Sequence, residues 1–127
     1  MKSIVLIRHA SAGNRKTWSG DDRERPLDKR GLGQADGLVE SLAGYEIQRV
    51  LSSPYVRCVQ TVEPLARSLG IRIEEVDELA EGASRDEALA LVESLCGTGA
   101  ALCTHGDVVY ELLGAGLKKG ATAILEP

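Results

Sequence analysis

The sequence predicts an α/β fold, a three-layer α/β/α sandwich with a mainly parallel central sheet. Short β-branched runs alternate with segments of helical spacing along the 127 residues. The strand-like runs are mostly apolar, which is typical of a parallel sheet covered by helices on both faces. A domain of this size buries roughly two-thirds of its unfolded surface, so we expect residues 1–127 to form one domain.

Five predicted strands share a short length and an apolar, β-branched composition. In chain order they lie at residues 3–7, 48–51, 71–76, 100–104 and 121–125. Helical segments separate them, and this rhythm of strand and helix favours parallel pairing with crossover helices.

Two of the helical segments carry apolar stripes that need a sheet to cover them. The stripes are Leu32, Ala35, Leu38, Val39 and Leu42 within residues 28–43, and Ala88, Leu91, Val92 and Leu95 within residues 84–96.

N-caps are predicted at Asp28, Ser53 and Ser84, the last completed by Glu87 as a capping box. Pro54 is tolerated in the first turn of the helix that Ser53 begins. Glycines follow the predicted helix ends at Gly44, Gly70 and Gly97.

Composition and charge argue against several classes of protein. The net charge of -4 disfavours non-specific nucleic-acid binding, which requires clustered lysine and arginine. The apolar run near the N-terminus is too short for a signal peptide or a membrane span, so we expect a cytoplasmic protein that no membrane anchors. Three cysteines, an odd number without metal-ligand spacing, are interpreted as reduced thiols: Cys58, Cys96 and Cys103.

The only two histidines in the chain each follow a predicted strand. His9 comes after the first strand beside Arg8, and His105 comes after the fourth. Ligands of parallel sheets collect beyond the carboxyl ends of the strands, so we expect both histidines to reach one pocket. Arg57 joins them from the start of the helix after the second strand, where the helix N-terminus favours an anion. Two arginines, two histidines and helix-end amides predict a pocket for a phosphoryl group.

Four motifs then carry a resemblance to a known family. They are Arg8-His9-Ala10, the segment LSSPYVRCVQT at residues 51–61, the turn LAEG at residues 79–82, and Thr104-His105-Gly106. In this order they resemble the histidine phosphatases, also called the phosphoglycerate mutase-like superfamily, over most of the chain. Residues 18–31 further resemble the short bacterial subgroup that contains phosphohistidine phosphatases, and the phosphatase half of certain fused Nudix-type proteins.

The resemblance implies roles for the convergent residues. His9 is the implied nucleophile that forms a phosphohistidine intermediate, while Arg8, Arg57 and His105 hold the phosphoryl oxygens. A neutral imidazole can attack phosphorus, and cations with backbone amides stabilise the transferring oxygens, so no metal or cofactor is expected. Glu81, in the turn after the third strand, is the candidate that protonates the leaving group and later activates water. The alternatives for that role are Glu78 and Asp107.

Other residues near these turns are candidates for contact with substrate. They are Ser11, Asn14, Arg15, Lys16 and Gly106, although residues 14–16 would also suit a solvated loop. Trp18 and Tyr55 are interpreted as packing residues, with the alternative that a tryptophan beside a long loop shapes a binding surface. Arg23 and Arg25 are expected to pair with local acids outside the site.

Only residues 77–83 separate the third strand from the third helix, so the predicted site is open and shallow, and we expect no C-terminal tail over it. Such a site suits a substrate that brings its own surface, and disfavours a mutase, which must exclude water. We therefore predict a phosphatase that acts on a phosphohistidine-bearing protein or a small phosphomonoester. The alternatives are a nucleotide-type phosphate hydrolase of the same fold, suggested by the fused relatives, and a catalytically silent phosphate-binding module.

Overall fold

The protein is described by a computed structural model over residues 3–125. Five strands and four helices alternate along the chain in these residues. The strands are β1 (Ile4–Arg8), β2 (Arg49–Ser52), β3 (Ile73–Glu75), β4 (Ala100–Thr104) and β5 (Thr122–Leu125). The helices are α1 (Lys29–Ser41), α2 (Val56–Leu69), α3 (Arg85–Ser94) and α4 (Gly106–Leu113), and single 3-10 turns occur at Asp22–Glu24 and Asp77–Leu79.

The five strands form one sheet in the order β3-β2-β4-β1-β5. β1 and β2 both pair in parallel with β4, and β3 pairs in parallel with β2. β5 alone in this sheet runs antiparallel, against β1. The prediction of a mainly parallel sheet is therefore confirmed, and the carboxyl ends of β1, β2 and β4 lie side by side.

Two hydrophobic clusters cover the two faces of the sheet. Side chains alternate between the faces along each strand, so Val5 and Ile7 pack with α1 and α2 while Ile4 and Leu6 pack with α3 and α4. Each fully buried leucine or isoleucine contributes about 1.5–3 kcal/mol by leaving water. This confirms the predicted three-layer sandwich. No helix within residues 3–125 is long and apolar enough to cross a membrane.

Local interactions explain where the elements begin and end. Asp28 caps α1 by accepting the N–H of Gly31, and Ser84 with Glu87 forms the predicted capping box at α3. Gly70 ends α2 in the left-handed conformation, at φ 67°. α1 and α3 are shorter than predicted and end at Ser41 and Ser94. β3 keeps only the middle of its predicted range.

Two predictions about these elements are wrong. Ser53 does not cap α2: the helix begins at Val56 with Tyr55 in the N-cap position, and Pro54 precedes it. The Ser53 hydroxyl accepts the N–H of Tyr55 and also contacts a histidine far along the chain. Leu32 is 50% exposed, because the inward position at the start of α1 belongs to its neighbour Gly31, which packs on the backbone of Ser11.

Candidate active site

The segments after β1, β3 and β4, with Lys119 before β5, surround a cavity of about 630 Å³ at the carboxyl edge of the sheet. Most of its polar lining is cationic or imidazole, and two carboxylates complete it. The lining residues are Arg8, His9, Gly13, Asn14, Arg15, Arg25, Glu81, His105, Gly106, Asp107 and Lys119. The structure therefore brings both histidines into one cavity, as the topology of a parallel sheet requires.

His9 is buried at the base of this cavity, and its backbone N–H donates to the carbonyl of Thr104 at the end of β4. Its Nδ1 lies 2.8 Å from the Ala10 carbonyl oxygen, which can only accept. Burial, with the nearby charges of His105, Arg57 and Arg8, lowers the pKa of His9 from 6.5 to about 3, although the Ala10 carbonyl favours the charged ring. The ring is therefore neutral at pH 7, with its proton on Nδ1 and a lone pair on Nε2.

His105 lies edge-on to His9, with their ring centroids 5.4 Å apart. Its Nε2 is 2.8 Å from the Ser53 hydroxyl and 3.5 Å from the Cys58 sulfur. The Tyr55 ring packs against it at 4.6 Å, so the predicted packing role of Tyr55 agrees with the structure. These contacts occupy one side of the imidazole and leave the buried Nδ1 without a hydrogen-bond partner.

Arg8 turns toward the start of α4. Its Nη1 donates to the carbonyl of Leu117 at 2.7 Å, and its Nε is buried without a partner. The guanidinium lies over Gly106, where an added Cβ would approach the Arg8 Cζ to 2.9 Å. The absence of a side chain at residue 106 thus makes room for the arginine, which is a reason for glycine that the sequence alone does not reveal.

Arg57 is 1% exposed and lies beneath two carboxylates. Its Nη2 is 3.1 Å from Asp22 Oδ2 and 3.2 Å from Glu81 Oε2, and its Nη1 donates to the Asp22 carbonyl. Arg15 reaches across from the loop after β1 to Glu81, at 2.7 Å. Arg57 is not among the residues that line the open cavity, and contact between its unpaired Nε and a phosphoryl group stays a prediction.

Three residues whose charges act on His9 each hold a buried nitrogen without a hydrogen-bond partner. These nitrogens are Arg8 Nε, Arg57 Nε and His105 Nδ1, and within residues 3–125 no other buried side-chain nitrogen or oxygen lacks a partner. A buried donor left unsatisfied costs about 1–3 kcal/mol. Their clustering beside a neutral imidazole is typical of a site built for an anion with several acceptor oxygens.

The structure places the remaining predicted residues in two groups. Asn14, Arg15 and Gly106 line the cavity, whereas Ser11 and Lys16 do not. The Ser11 hydroxyl instead donates a hydrogen bond to the Asp28 carboxylate at 2.7 Å. The two alternatives to Glu81 differ in position. Asp107 lines the cavity and accepts the N–H of Gly82, whereas Glu78 lies outside the cavity.

Residues missed by sequence reasoning complete the site. Arg25 pairs with Asp22 at 2.9 Å, as expected of a local ion pair, but it also lines the cavity. The Asp22 carboxylate accepts a hydrogen bond from Arg57, which lies 35 residues away in the sequence. Lys119 reaches the cavity because the adjacent Gly120 donates its N–H to the carbonyls of the Arg8-His9 pair. No periodicity or motif marks such contacts, since they depend on how the loops return to β1.

Comparisons with known proteins agree with this geometry. The model of the histidine phosphatase superfamily (branch 1) matches residues 4–87. The chain is 37% identical over 117 residues to the 8-oxo-(d)GTP phosphatase of Mycolicibacterium smegmatis, which covers 88% of this chain. It spans about a third (36%) of the length of that curated relative.

Solved structures share the fold. The protein histidine phosphatase SixA complexed with tungstate superposes with a TM-score of 0.79 and 26% identity, over 96% of this chain and 86% of that one. YhfR of Bacillus stearothermophilus superposes with a TM-score of 0.82 and 17% identity, over 99% of this chain and 91% of that one. The second likeness concerns the fold alone. Both structures share the phosphoglycerate mutase-like arrangement predicted from the sequence.

Proposed function

Because this chain belongs to the histidine phosphatase superfamily (branch 1), we propose that it hydrolyses a phosphohistidine or a small phosphomonoester through a covalent phosphohistidine at His9. One observation carries the proposal: Arg8, Arg57 and His105, whose charges act on His9, each hold a buried nitrogen without a hydrogen-bond partner.

In the first step, His9 Nε2 attacks phosphorus with its lone pair. The new N–P bond forms as the bond from phosphorus to the leaving group breaks, and that bond's electron pair departs with the leaving group. The unpaired nitrogens of Arg8, Arg57 and His105 supply hydrogen bonds to the phosphoryl oxygens. Glu81 gives its proton to the leaving group in this proposal, since it lines the cavity and contacts Arg57.

In the second step, a water molecule attacks the phosphohistidine. Glu81 takes the water proton, the N–P bond breaks with its electrons returning to His9 Nε2, and phosphate leaves. The position of Glu81 supports this double role. Arg15 and Arg57 hold the carboxylate at 2.7 Å and 3.2 Å, at the boundary between the buried nitrogens and the open cavity.

Two substrate classes remain distinct within this proposal. A phosphohistidine on a protein is supported by the likeness to SixA, a protein histidine phosphatase. A nucleotide-type phosphate is supported by the identity with an 8-oxo-(d)GTP phosphatase and by the extra cations at the cavity, Arg15, Arg25 and Lys119. The three free cysteines support a reducing, cytoplasmic location for either role.

The nucleophile is tested with His9→Asn and an aryl phosphate such as p-nitrophenyl phosphate. We expect kcat/KM to fall about a thousandfold or more, because no other group replaces the attacking nitrogen. Phosphorus-32 label trapped from substrate should be acid-labile and base-stable in the wild type and absent from the variant. Arg67→Ala, at an exposed position of the same helix as Arg57, is the control and should leave turnover unchanged.

Two results would contradict this assignment. Label that persists in His9→Asn would place the nucleophile elsewhere. A wild-type protein that binds tungstate or phosphate tightly but turns over no phosphate ester and no phosphohistidine would be a silent binding module.

A further inference from the structure

A second, smaller depression adjoins the cavity at His9. Its volume is about 230 Å³, and it shares three lining residues with the cavity: Gly13, Asn14 and Arg25. The rest of its wall is largely apolar and consists of Ala12, Thr17, Trp18, Pro26, Leu27 and Asp28. We call this depression the Trp18 groove.

Trp18 presents an aromatic surface to this groove. It is the only tryptophan in a chain that has no phenylalanine, and it is 38% exposed. Its indole Nε1–H donates to the Asp21 carbonyl at 2.9 Å, which fixes one edge of the ring. A fixed, partly exposed aromatic ring next to a cationic cavity is a surface on which a flat ligand group can stack.

We propose that the Trp18 groove binds the base of a nucleoside phosphate whose phosphoryl group lies at His9. This inference rests on the proposed function and specifies its substrate. The two depressions share a boundary at Gly13 and Asn14, so one ligand can occupy both. Gly13 has no side chain at this boundary, and even an added Cβ would meet no atom within 4 Å.

The position of the groove distinguishes a nucleoside from a phosphohistidine. In phosphohistidine the imidazole is bonded directly to phosphorus, so that ring would remain inside the cavity at His9. The Trp18 groove lies beyond Gly13 and Asn14, where a ring separated from phosphorus by a sugar would reach. Arg25 lines both depressions and supplies positive charge where the cavity at His9 meets the Trp18 groove.

Binding is measured by the fluorescence of Trp18, which reports on the groove directly because the chain has no other tryptophan. The His9→Asn variant is titrated with adenosine 5′-monophosphate, guanosine 5′-monophosphate and ribose 5-phosphate. Both nucleotides should quench the fluorescence, since every base offers a flat face for stacking, and ribose 5-phosphate should not. Equal quenching by ribose 5-phosphate, or none by either nucleotide, would overturn the proposal.

Kinetics then test the role of the ring. The wild type should prefer the nucleotides over ribose 5-phosphate by about tenfold or more in kcat/KM, and Trp18→Ala should remove this preference while Trp18→Phe retains most of it. Tyr45→Ala is the control, because Tyr45 is a similarly exposed aromatic (42%) before β2. It should leave kcat/KM unchanged for the nucleotides and for ribose 5-phosphate.

The outcomes separate the groove from the chemistry. If Trp18→Ala lowered kcat/KM equally for the nucleotides and for ribose 5-phosphate, Trp18 would have a structural role and the proposal would be overturned. Loss confined to a phosphohistidine protein would assign the groove to a polypeptide and overturn it as well. Nucleotide-specific quenching without turnover of any phosphate ester or phosphohistidine would support binding in the groove and refute the proposed function.

Discussion

At the scale of single residues, Arg57 is a buried cation at the candidate site. Its guanidinium is buried under the carboxylates of Asp22 and Glu81, yet its Nε has no partner. A buried cation is held in place by such pairs, and the loss of one partner leaves an uncompensated charge. Glu81 is therefore both a support for Arg57 and the candidate proton donor.

Replacing Glu81 with glutamine separates these two roles. Glutamine keeps the size and one acceptor for Arg15 and Arg57, but it carries no transferable proton. We expect alkyl phosphates, whose leaving groups need a proton, to slow about a hundredfold or more, and aryl phosphates with good leaving groups to slow far less. The dependence of kcat/KM on leaving-group pKa measures this.

Glu78→Gln is the matched control, because Glu78 lies in the 3-10 turn just before Glu81 but outside the cavity. It should leave the leaving-group dependence unchanged. Equal slowing of alkyl and aryl phosphates by Glu81→Gln would show that the carboxylate supports Arg57 and transfers no proton.

Site residues could be predicted from the sequence where they lie at the end of a strand. Arg8 ends β1, and His9 and His105 directly follow strands, so the sequence predicted that these three residues come together. Asp22 and Lys119 could not be read, since they reach the site through irregular loops. The Ser11 hydroxyl donates to Asp28, 17 residues away, a contact that the local sequence does not mark.

At the scale of elements, the start of α1 is coupled to the loop after β1. The Asp28 carboxylate accepts the N–H of Gly31 at 2.8 Å, which caps the helix. It also accepts the Ser11 hydroxyl at 2.7 Å and the N–H of Gly13 at 2.9 Å. These bonds hold the pKa of Asp28 below its usual value. One side chain therefore fixes both the helix and the boundary between the two depressions.

Asp28→Ala should lower stability and activity together. Loss of the cap costs about 1 kcal/mol, and release of Gly13 loosens the loop that lines the cavity. We expect a lower urea midpoint and a kcat/KM several-fold below the wild type. Gly70→Ala is the control: it strains the left-handed end of α2 by about 1–2 kcal/mol but lies away from the cavity, so its kcat/KM should not change. Equal kcat/KM losses in both variants would contradict the coupling.

The elements themselves were largely predictable. The alternation of strands and helices, the cap at Asp28 and the capping box at Ser84 follow from local sequence. Ser53 was predicted as a cap because local patterns favour serine before a helix, but its hydroxyl binds His105, 52 residues away. A tertiary contact of this kind overrides a local preference without leaving a local signal.

At the scale of the whole molecule, the fold buries a titratable ring in its native state. His9 has a pKa of about 3 in the folded protein and 6.5 as the reference value for an exposed ring. Between these values the unfolded chain binds a proton that the folded protein does not. Stability from this group is therefore complete above pH 6.5 and falls as the pH falls toward 3.

The slope of this loss is at most about 1.4 kcal/mol per pH unit. Urea unfolding between pH 6.5 and about 5.5 measures it, in a window above the reference pKa values of 4.5 and 3.8 at which Glu74, Asp22 and Asp28 begin to affect stability. The wild type should lose more stability across this window than His9→Asn, which has no ring to protonate. Parallel curves for the two proteins would refute the burial of a neutral His9.

The layers and the mainly parallel sheet could be predicted because they follow from patterns that run through the whole chain. The order of strands could not, because adjacency in the sheet depends on pairings between residues far apart. β1 in particular lies between β4 and β5, an arrangement that no segment near residue 4 specifies.

That central place of β1 has a consequence for biosynthesis. The strand that carries Arg8 and His9 leaves the ribosome before residues 100–125, which supply both of its neighbours in the sheet. Its apolar side chains therefore stay uncovered by those neighbours until residues 100–125 have followed. During translation the candidate catalytic pair is made before the strands that order it, so the nascent chain exposes a sheet-forming edge in that interval.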